Sequence, residues 1–388
     1  MIVPCANRLT SVEEYYFSRK LAEVRRLITQ GRPVINLAIG NPDLPPSAET
    51  IATLNEAAQQ PENHGYQPYR GAAVLRQSMA DYYARVYAVQ LDPDAQILPL
   101  MGSKEGIFHI SMAFLNSGDR VLTPDPGYLA YPSAARMAGG EPLFYDLSAE
   151  NGWLPDLDAL AKQDLSRVKL MWINYPHMPT GAVASAADFR KIIDFCREKR
   201  ILLCHDNPYS RILNDSPISL LSIDGAMDGC LELNSLSKSH NMAGWRVGLA
   251  AGRQDYLDAI VKVKSNIDSG AFLPVQLAAA HALQNSDDWH DAQNKIYRQR
   301  RKQVHQFLDT LGCRYDTGNA GMFVWAKAPA GVRDVPAFID NLLYEKDIFI
   351  APGGIFGKNG QDFVRVSLCA PAEKIAEATQ RMVHAGTS

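Results

Sequence analysis

The chain has 388 residues, 46% of them hydrophobic, and a formal net charge of −3 from 39 Lys and Arg against 42 Asp and Glu. That length suggests two domains or one large α/β unit with ample apolar material for a core. The near-neutral balance gives no reason to expect a polyanion partner such as nucleic acid, and no apolar run approaches the roughly 18 residues that cross a membrane.

In chain order, the first feature is Asn41-Pro42-Asp43-Leu44-Pro45-Pro46, whose prolines stiffen a crossing between two parts of the molecule. Met101-Gly102-Ser103-Lys104-Glu105-Gly106 then reads as a loop entering a helix over Lys104 to Leu115. Strands are expected at Arg120 to Thr123, Val168 to Asn174, Ile201 to His205, Cys230 to Leu233 and Val247 to Ala250, with a helix over Ala186 to Lys199. Leu-Met-Trp-Ile and Ile-Leu-Leu-Cys are apolar on both faces, as in strands buried within a parallel sheet. Strands alternating with helices imply an α/β fold, a mainly parallel sheet sandwiched by helices. From about Ser286 the pattern changes to a long charged helix, Asp288 to Leu311, and short strands at Met322 to Trp325 and Phe363 to Leu368. These predict a smaller α+β domain. The six cysteines, Cys5, Cys196, Cys204, Cys230, Cys313 and Cys369, have no paired spacing, which predicts neither a metal knuckle nor a disulfide framework and fits a reducing, cytoplasmic setting. The N-terminus MIVPCANRLT shows no signal-peptide pattern.

The densest chemistry lies in Asn234-Ser-Leu-Ser-Lys-Ser-His-Asn-Met-Ala-Gly-Trp-Arg246. Hydroxyls at Ser235 and Ser237 with the Arg246 guanidinium make a phosphate site, because guanidinium gives charge-assisted contacts to phosphate oxygens. Lys238 beside such an anchor can form an imine with an aldehyde cofactor; a solvated loop with a surface lysine is the plain alternative. Asp206 ends an apolar strand, where a doubly wound sheet builds its crevice, and could hold a pyridinium nitrogen protonated. Tyr209, three residues on, could reach the same ring, although a strand-terminal Asp capping a turn is common. Gly102, Ser103 and Lys104 precede a helix whose N-terminal N–H groups favour phosphate. Tyr128 could stack on an aromatic cofactor. Arg365, inside the apolar Phe-Val-Arg-Val-Ser-Leu, needs a carboxylate from a substrate or from the protein itself.

In this order the motifs resemble the fold-type-I pyridoxal-phosphate aminotransferases of class I/II, over about Asn36 to Leu368. The resemblance implies pyridoxal 5'-phosphate as cofactor, an aspartate-aminotransferase-like sheet of seven strands, and a division into a cofactor domain, 46–285, and a small domain, 1–45 plus 286–388. It makes Lys238 the Schiff-base lysine, Asp206 and Tyr209 the partners of the ring nitrogen and phenolic oxygen, and Gly102, Ser103, Lys104, Ser235, Ser237 and Arg246 the phosphate site. Tyr128 becomes the stacking residue, Asn174 a cofactor contact, and Gly40 and Arg365 the substrate-binding positions. Tyr66, in Tyr66-Gln-Pro-Tyr-Arg-Gly71, matches a tyrosine that reaches the neighbouring subunit's phosphate, which implies a homodimer with shared sites.

One position departs from the family. Its Asn-Pro-Thr-Gly is here Met178-Pro179-Thr180-Gly181, and a thioether cannot replace the amide that donates to the cofactor's phenolic oxygen; Asn174 or His177 are the nearby residues that could compensate. The implied activity is ping-pong transfer of an amino group from an L-amino acid to a 2-keto acid, with no metal. The closest subgroup resemblance is to LL-diaminopimelate aminotransferases, through Gly-Ser-Lys-Glu-Gly-Ile and Ser265-Asn-Ile-Asp-Ser-Gly-Ala-Phe. Broad-specificity relatives acting on alanine, glutamate or aromatic amino acids share these motifs. A carbon–sulfur β-lyase on the same scaffold is the alternative reaction.

Overall fold

A computed structural model describes residues 2–9 and 16–383. A seven-stranded sheet forms its centre, in the spatial order Ile97–Leu100, Gly248–Gly252, Cys230–Ser235, Leu202–Asp206, Val168–Ile173, Arg120–Asp125 and Glu141–Asp146. Only Gly248–Gly252 runs against its neighbours; the other pairings are parallel. The middle strands are buried on both faces, Leu170, Met171, Trp172 and Ile173 completely, as helices on both sides require.

Each expected strand and helix is present with ends shifted by a residue or two, and Ala186–Lys199 has the bounds expected. Ile97–Leu100 and Glu141–Asp146 were not expected, and both are edge strands carrying a proline, Pro99 and Pro142. A proline breaks the ladder pattern by which a strand is recognised and is tolerated where one side of the strand is unpaired.

The C-terminal part builds a four-stranded antiparallel sheet, Ala351–Pro352, Phe363–Ser367, Phe323–Lys327 and Arg314–Tyr315, against the helix Asp287–Leu311. Ser286 caps that helix by accepting from Trp289 N–H, and Gly312 ends it at φ 77°. The N-terminal segment joins this core: Ile35–Asn36 pairs in parallel with Ile348–Phe349, and Val24, Leu27 and Leu37 pack among Phe307, Val324 and Ile339.

Polar contacts brace this layer internally and seat it on the large sheet. Arg300 grips Asp43 with both terminal nitrogens, at 2.6 and 2.8 Å, and also donates to Leu368 O. Asp125, ending a sheet strand, accepts from the backbone N–H groups of Lys358 and Asn359. Gly357 (φ 143°) lets the chain come that close, since a Cβ there would lie 2.1 Å from Asp125 Oδ1.

Beneath the crevice, the fully buried Glu232 carboxylate accepts from Tyr83 Oη (2.8 Å), Ser219 Oγ (2.9 Å) and Leu220 N (2.7 Å), and His205 Nδ1 lies 2.9 Å away. This hub fixes the strand that ends at Asp206. Glu232→Ala leaves several buried donors without an acceptor, so we expect a loss of about 3–5 kcal/mol, read as a lower urea midpoint with unchanged slope.

Candidate active site

Parallel strands deliver their C-terminal ends to one edge of the sheet, and the crevice of an open α/β sheet forms there. A cavity of about 370 Å³ occupies that edge, under the C-terminal layer. Every site residue expected from sequence lines it except Gly102 and Tyr66. Gly102 lies just behind the lining, whereas the Tyr66 side chain is 92% exposed on the outer surface.

At one end, the turn after Leu100 enters the helix Ser103–Phe114, with Gly102 at φ 87°. A Cβ at Gly102 would meet Arg246 Nη2 at 2.2 Å, so only glycine lets the guanidinium lie against this loop. Arg246 donates to Ser237 Oγ (3.2 Å), Ala243 O (2.9 Å) and Met101 O (3.1 Å). Ser235 has a structural task as well, since its Oγ caps the short helix Leu236–Ser239. Helix N-terminus, two hydroxyls and a guanidinium converge as a phosphate-sized anion requires. Behind this loop Glu105 lies 3.0 Å from His109, and near them Asp268 pairs with Lys264 (2.6 Å) and accepts from Gly270 N–H.

At the cavity floor, Asp206 is 3% exposed. Its Oδ2 accepts from Tyr131 Oη at 3.1 Å, whereas its Oδ1 is buried without a hydrogen-bond partner among the described residues. Burial pushes its pKa up to about 6, against the lowering effect of the Tyr131 hydrogen bond and nearby His205 and Ser103. The Lys238 amine donates to Gly40 O at 2.5 Å; burial lowers its pKa, Cys369 opposes that, and the Arg365 and Arg246 charges add to it. A depressed lysine is a better nucleophile and base near neutrality. Arg365 donates to Ala38 O (2.7 Å) and Met178 Sδ (3.3 Å) and lies between the rings of Phe323 (4.0 Å) and Phe356 (4.6 Å). Burial lowers its pKa to about 10, so it stays cationic. Burial also raises the Tyr209 hydroxyl, with the Arg365 charge opposing, so Tyr209 is a neutral donor at physiological pH.

The unpartnered buried oxygen of Asp206, an imine-forming amine and an anion cradle suit a flat aromatic aldehyde with a protonated ring nitrogen and a phosphate arm. Residues 32–382 match the family model for aminotransferase class I and II. The LL-diaminopimelate aminotransferase of Desulforudis audaxviator is 41% identical over 379 residues, 97% of this chain and 96% of that protein. The apo-BacF structure from Bacillus subtilis superposes with a TM-score of 0.95 at 33% identity, covering 99% and 98% of the two chains. An aspartate aminotransferase mutant of Thermus thermophilus shares the fold, at a TM-score of 0.91 and 24% identity, with 98% and 99% covered. The chain belongs to the class I and II aminotransferases. It is a pyridoxal-phosphate-dependent transaminase, and the lyase alternative draws no support from these matches.

Neither residue proposed to compensate for Met178 is positioned to do so fully. Asn174 lines the cavity, but its Nδ2 donates to Asp206 O (2.6 Å) and its Oδ1 accepts from Met178 N (2.8 Å). His177 is outside the cavity lining, with Nδ1 2.8 Å from Thr180 Oγ1. Sequence reasoning missed Tyr131, although it lies one helical turn after Tyr128, and also missed Leu21, Ile39, Phe323 and Phe356 in the wall. The last four carry no polar signal, so only tertiary packing reveals them.

Two expectations follow. A buried acid whose pKa rises from 3.8 to about 6 on folding holds its proton more tightly in the folded state. Its contribution to stability is therefore largest below pH 4 and falls as pH rises through 6. Cofactor-free Asp206→Asn should then be more stable to unfolding than cofactor-free wild type at pH 7.5, by about 1–3 kcal/mol, a gap that closes below pH 4. Met178→Asn restores an amide donor at the cofactor's phenolic oxygen and should lower the pH midpoint of the visible absorbance by about one unit; identical midpoints would count against this reading of Met178.

Proposed function

We propose that this chain exchanges the amino group of LL-diaminopimelate with that of a second amino acid through their 2-keto acids, as a cytoplasmic homodimer. The full-length identity to an LL-diaminopimelate aminotransferase carries the substrate assignment. The domain division proposed is 46–285 for cofactor binding and 1–45 plus 286–388 for the covering layer; the separate core uniting Val24 and Leu37 with Val324 and Val364 supports it. Exposed apolar side chains at Tyr66, Ile267 and Phe272 support the dimer. The 66–67 and 270 loops abut there, a Cβ on Gly270 lying 2.7 Å from Gln67 O. Tyr66 would serve the partner's phosphate. Six free cysteines suit a reducing compartment.

In this reading Ser103, Ser235, Ser237 and Arg246, with the helix N-terminus after Gly102, hold the phosphate. Lys104 stands at the rim; Tyr128 would stack on the cofactor's ring, Asp206 would pair with its nitrogen, and Asn174 and Tyr209 would be further contacts to it. Pyridoxal phosphate, when bound, supplies an aldehyde that captures the amino group and a ring that takes up the electron pair left when the Cα proton departs. Arg365 binds the incoming α-carboxylate and Gly40 closes over it, which sets the direction of the Cα–H bond. The Lys238 amine would serve as the base that takes the proton from the substrate Cα. Phe323, Phe356, Leu21 and Ile39 exclude water from the exchange.

The test is the visible spectrum of the purified holoenzyme with LL-diaminopimelate, glutamate, alanine and tyrosine added separately. LL-diaminopimelate is expected to convert the resting band to the pyridoxamine form. Lys238→Ala should retain cofactor non-covalently with turnover lowered roughly a thousandfold or more. A band moved by tyrosine alone would reassign the donor; wild-type turnover in Lys238→Ala would remove the mechanism.

A further inference from the structure

We infer that Tyr131 is a positioning residue of this site: its hydroxyl, donated to Asp206 Oδ2, orients the carboxylate so that Oδ1 faces the cavity and keeps that carboxylate ionised. The inference rests on Asp206 being the partner of the cofactor's ring nitrogen.

The geometry leaves the Tyr131 hydroxyl little freedom. Its ring is 1% exposed and stacks on Trp172 at 5.0 Å with 7° between the planes. On the other side Tyr128 meets it edge-on at 5.6 Å and 88°. Trp172 pairs in register with Cys204, two residues before Asp206, so the stack and the carboxylate ride on adjacent strands. Tyr131 begins the helix Ala130–Met137, and its hydroxyl is held 3.1 Å from Oδ2. Burial raises the phenol's own pKa, and the Asp206 charge raises it further, so it remains a donor at every physiological pH.

A buried carboxylate with one oxygen open must either take up a proton or be stabilised as an anion. The groups facing Asp206 are few. Tyr131 donates from the helix side; Ser103 approaches from the phosphate loop; His205 precedes it on the same strand; and Tyr209 follows it. Of these, Tyr131 opposes the effect of burial most strongly. Without its hydroxyl, Asp206 would hold a proton at higher pH. That proton would compete with the ring nitrogen for the same carboxylate.

The dissociation constant of pyridoxal phosphate, measured from pH 5.5 to 9 for wild type, Tyr131→Phe and Asp206→Asn, tests this without relying on turnover. Titrations of the free cofactor cancel in each variant-to-wild-type ratio. Tyr131→Phe keeps the Trp172 stack and removes only the hydroxyl. Its acid limb should move up by about one pH unit, giving roughly fivefold weaker binding at pH 6 and a ratio near one at pH 9. Asp206→Asn should bind weakly with no such limb. A packing role alone would weaken Tyr131→Phe equally at all pH values, and that result overturns the inference. If Asp206→Asn loses its limb while Tyr131→Phe keeps the wild-type one, Tyr131 has no such role and the Asp206 assignment survives. If Asp206→Asn keeps wild-type affinity and limb, the assignment itself fails and the inference with it. Should Tyr131→Phe not fold, Tyr131→His retains a ring and an N–H donor. Its limb is then expected within about half a unit of wild type, and a limb displaced upward despite the donor overturns the proposal.

Discussion

Asp206 ends a central strand of the sheet almost without solvent exposure, one oxygen bonded to Tyr131 and the other without a hydrogen-bond partner among the described residues. Such a group is unfavourable in an isolated fold, because an anion removed from water needs a cation or several donors to replace its hydration. The parallel sheet puts it there because Leu202–Asp206 and its neighbours all point their C-terminal ends to the same edge. The fold therefore carries a local destabilisation that, in the proposed reading, a protonated ring nitrogen would relieve. The phosphate cradle and the lysine are meaningful in relation to that point, since together they set where the ring can lie.

The second layer determines how far Arg365, the proposed carboxylate-binding residue, stands from this floor. Arg365 lies on Phe363–Ser367, a strand of the covering sheet, and Lys238 follows a strand of the large one. Between them runs the segment Ala38 to Gly40, whose Ala38 carbonyl accepts from Arg365 and whose Gly40 carbonyl accepts from Lys238. A Cβ on Gly40 would sit 2.3 Å from the Phe323 ring, so the segment can pass through the gap only as glycine. The bidentate Arg300–Asp43 pair holds the continuation of that segment, and Asp125 holds the loop that carries Phe356. These ties thus steady the segment and the loop that contribute Gly40 and Phe356 to the cavity.

Much of this was legible in the sequence because chemistry at parallel-strand ends leaves compact motifs. Asp206 with Tyr209, and Ser235 through Arg246, are local in the chain and local in the cavity. The edge strands were not legible, since Pro99 and Pro142 disturb the patterns of short strands. Nor were Leu21, Phe323 and Phe356, whose place in the wall comes from packing between segments hundreds of residues apart. Tyr131 was hidden for another reason: a tyrosine one turn into a helix looks like core, and its hydroxyl acquires meaning only when a strand distant in sequence brings a carboxylate to it.

Met178 shows what a single departure from a family pattern does in context. Its sulfur meets Arg365 at 3.3 Å, and the guanidinium lies within an aromatic box. A thioether is a weak acceptor, so it yields readily to a substrate carboxylate, which offers two charged oxygens in the bidentate geometry that guanidinium prefers. The low polarity around Arg365 strengthens that exchange, because a charge pair formed away from water interacts more strongly than one formed in it. In the proposed reading the same substitution would withdraw a donor from the cofactor's phenolic edge and leave Tyr209 as the neutral donor there. Methionine at 178 would then make the carboxylate site more dependent on the substrate's own charge and the phenolic oxygen less stabilised as an anion, two effects of opposite consequence for an amine that must bind before it can react.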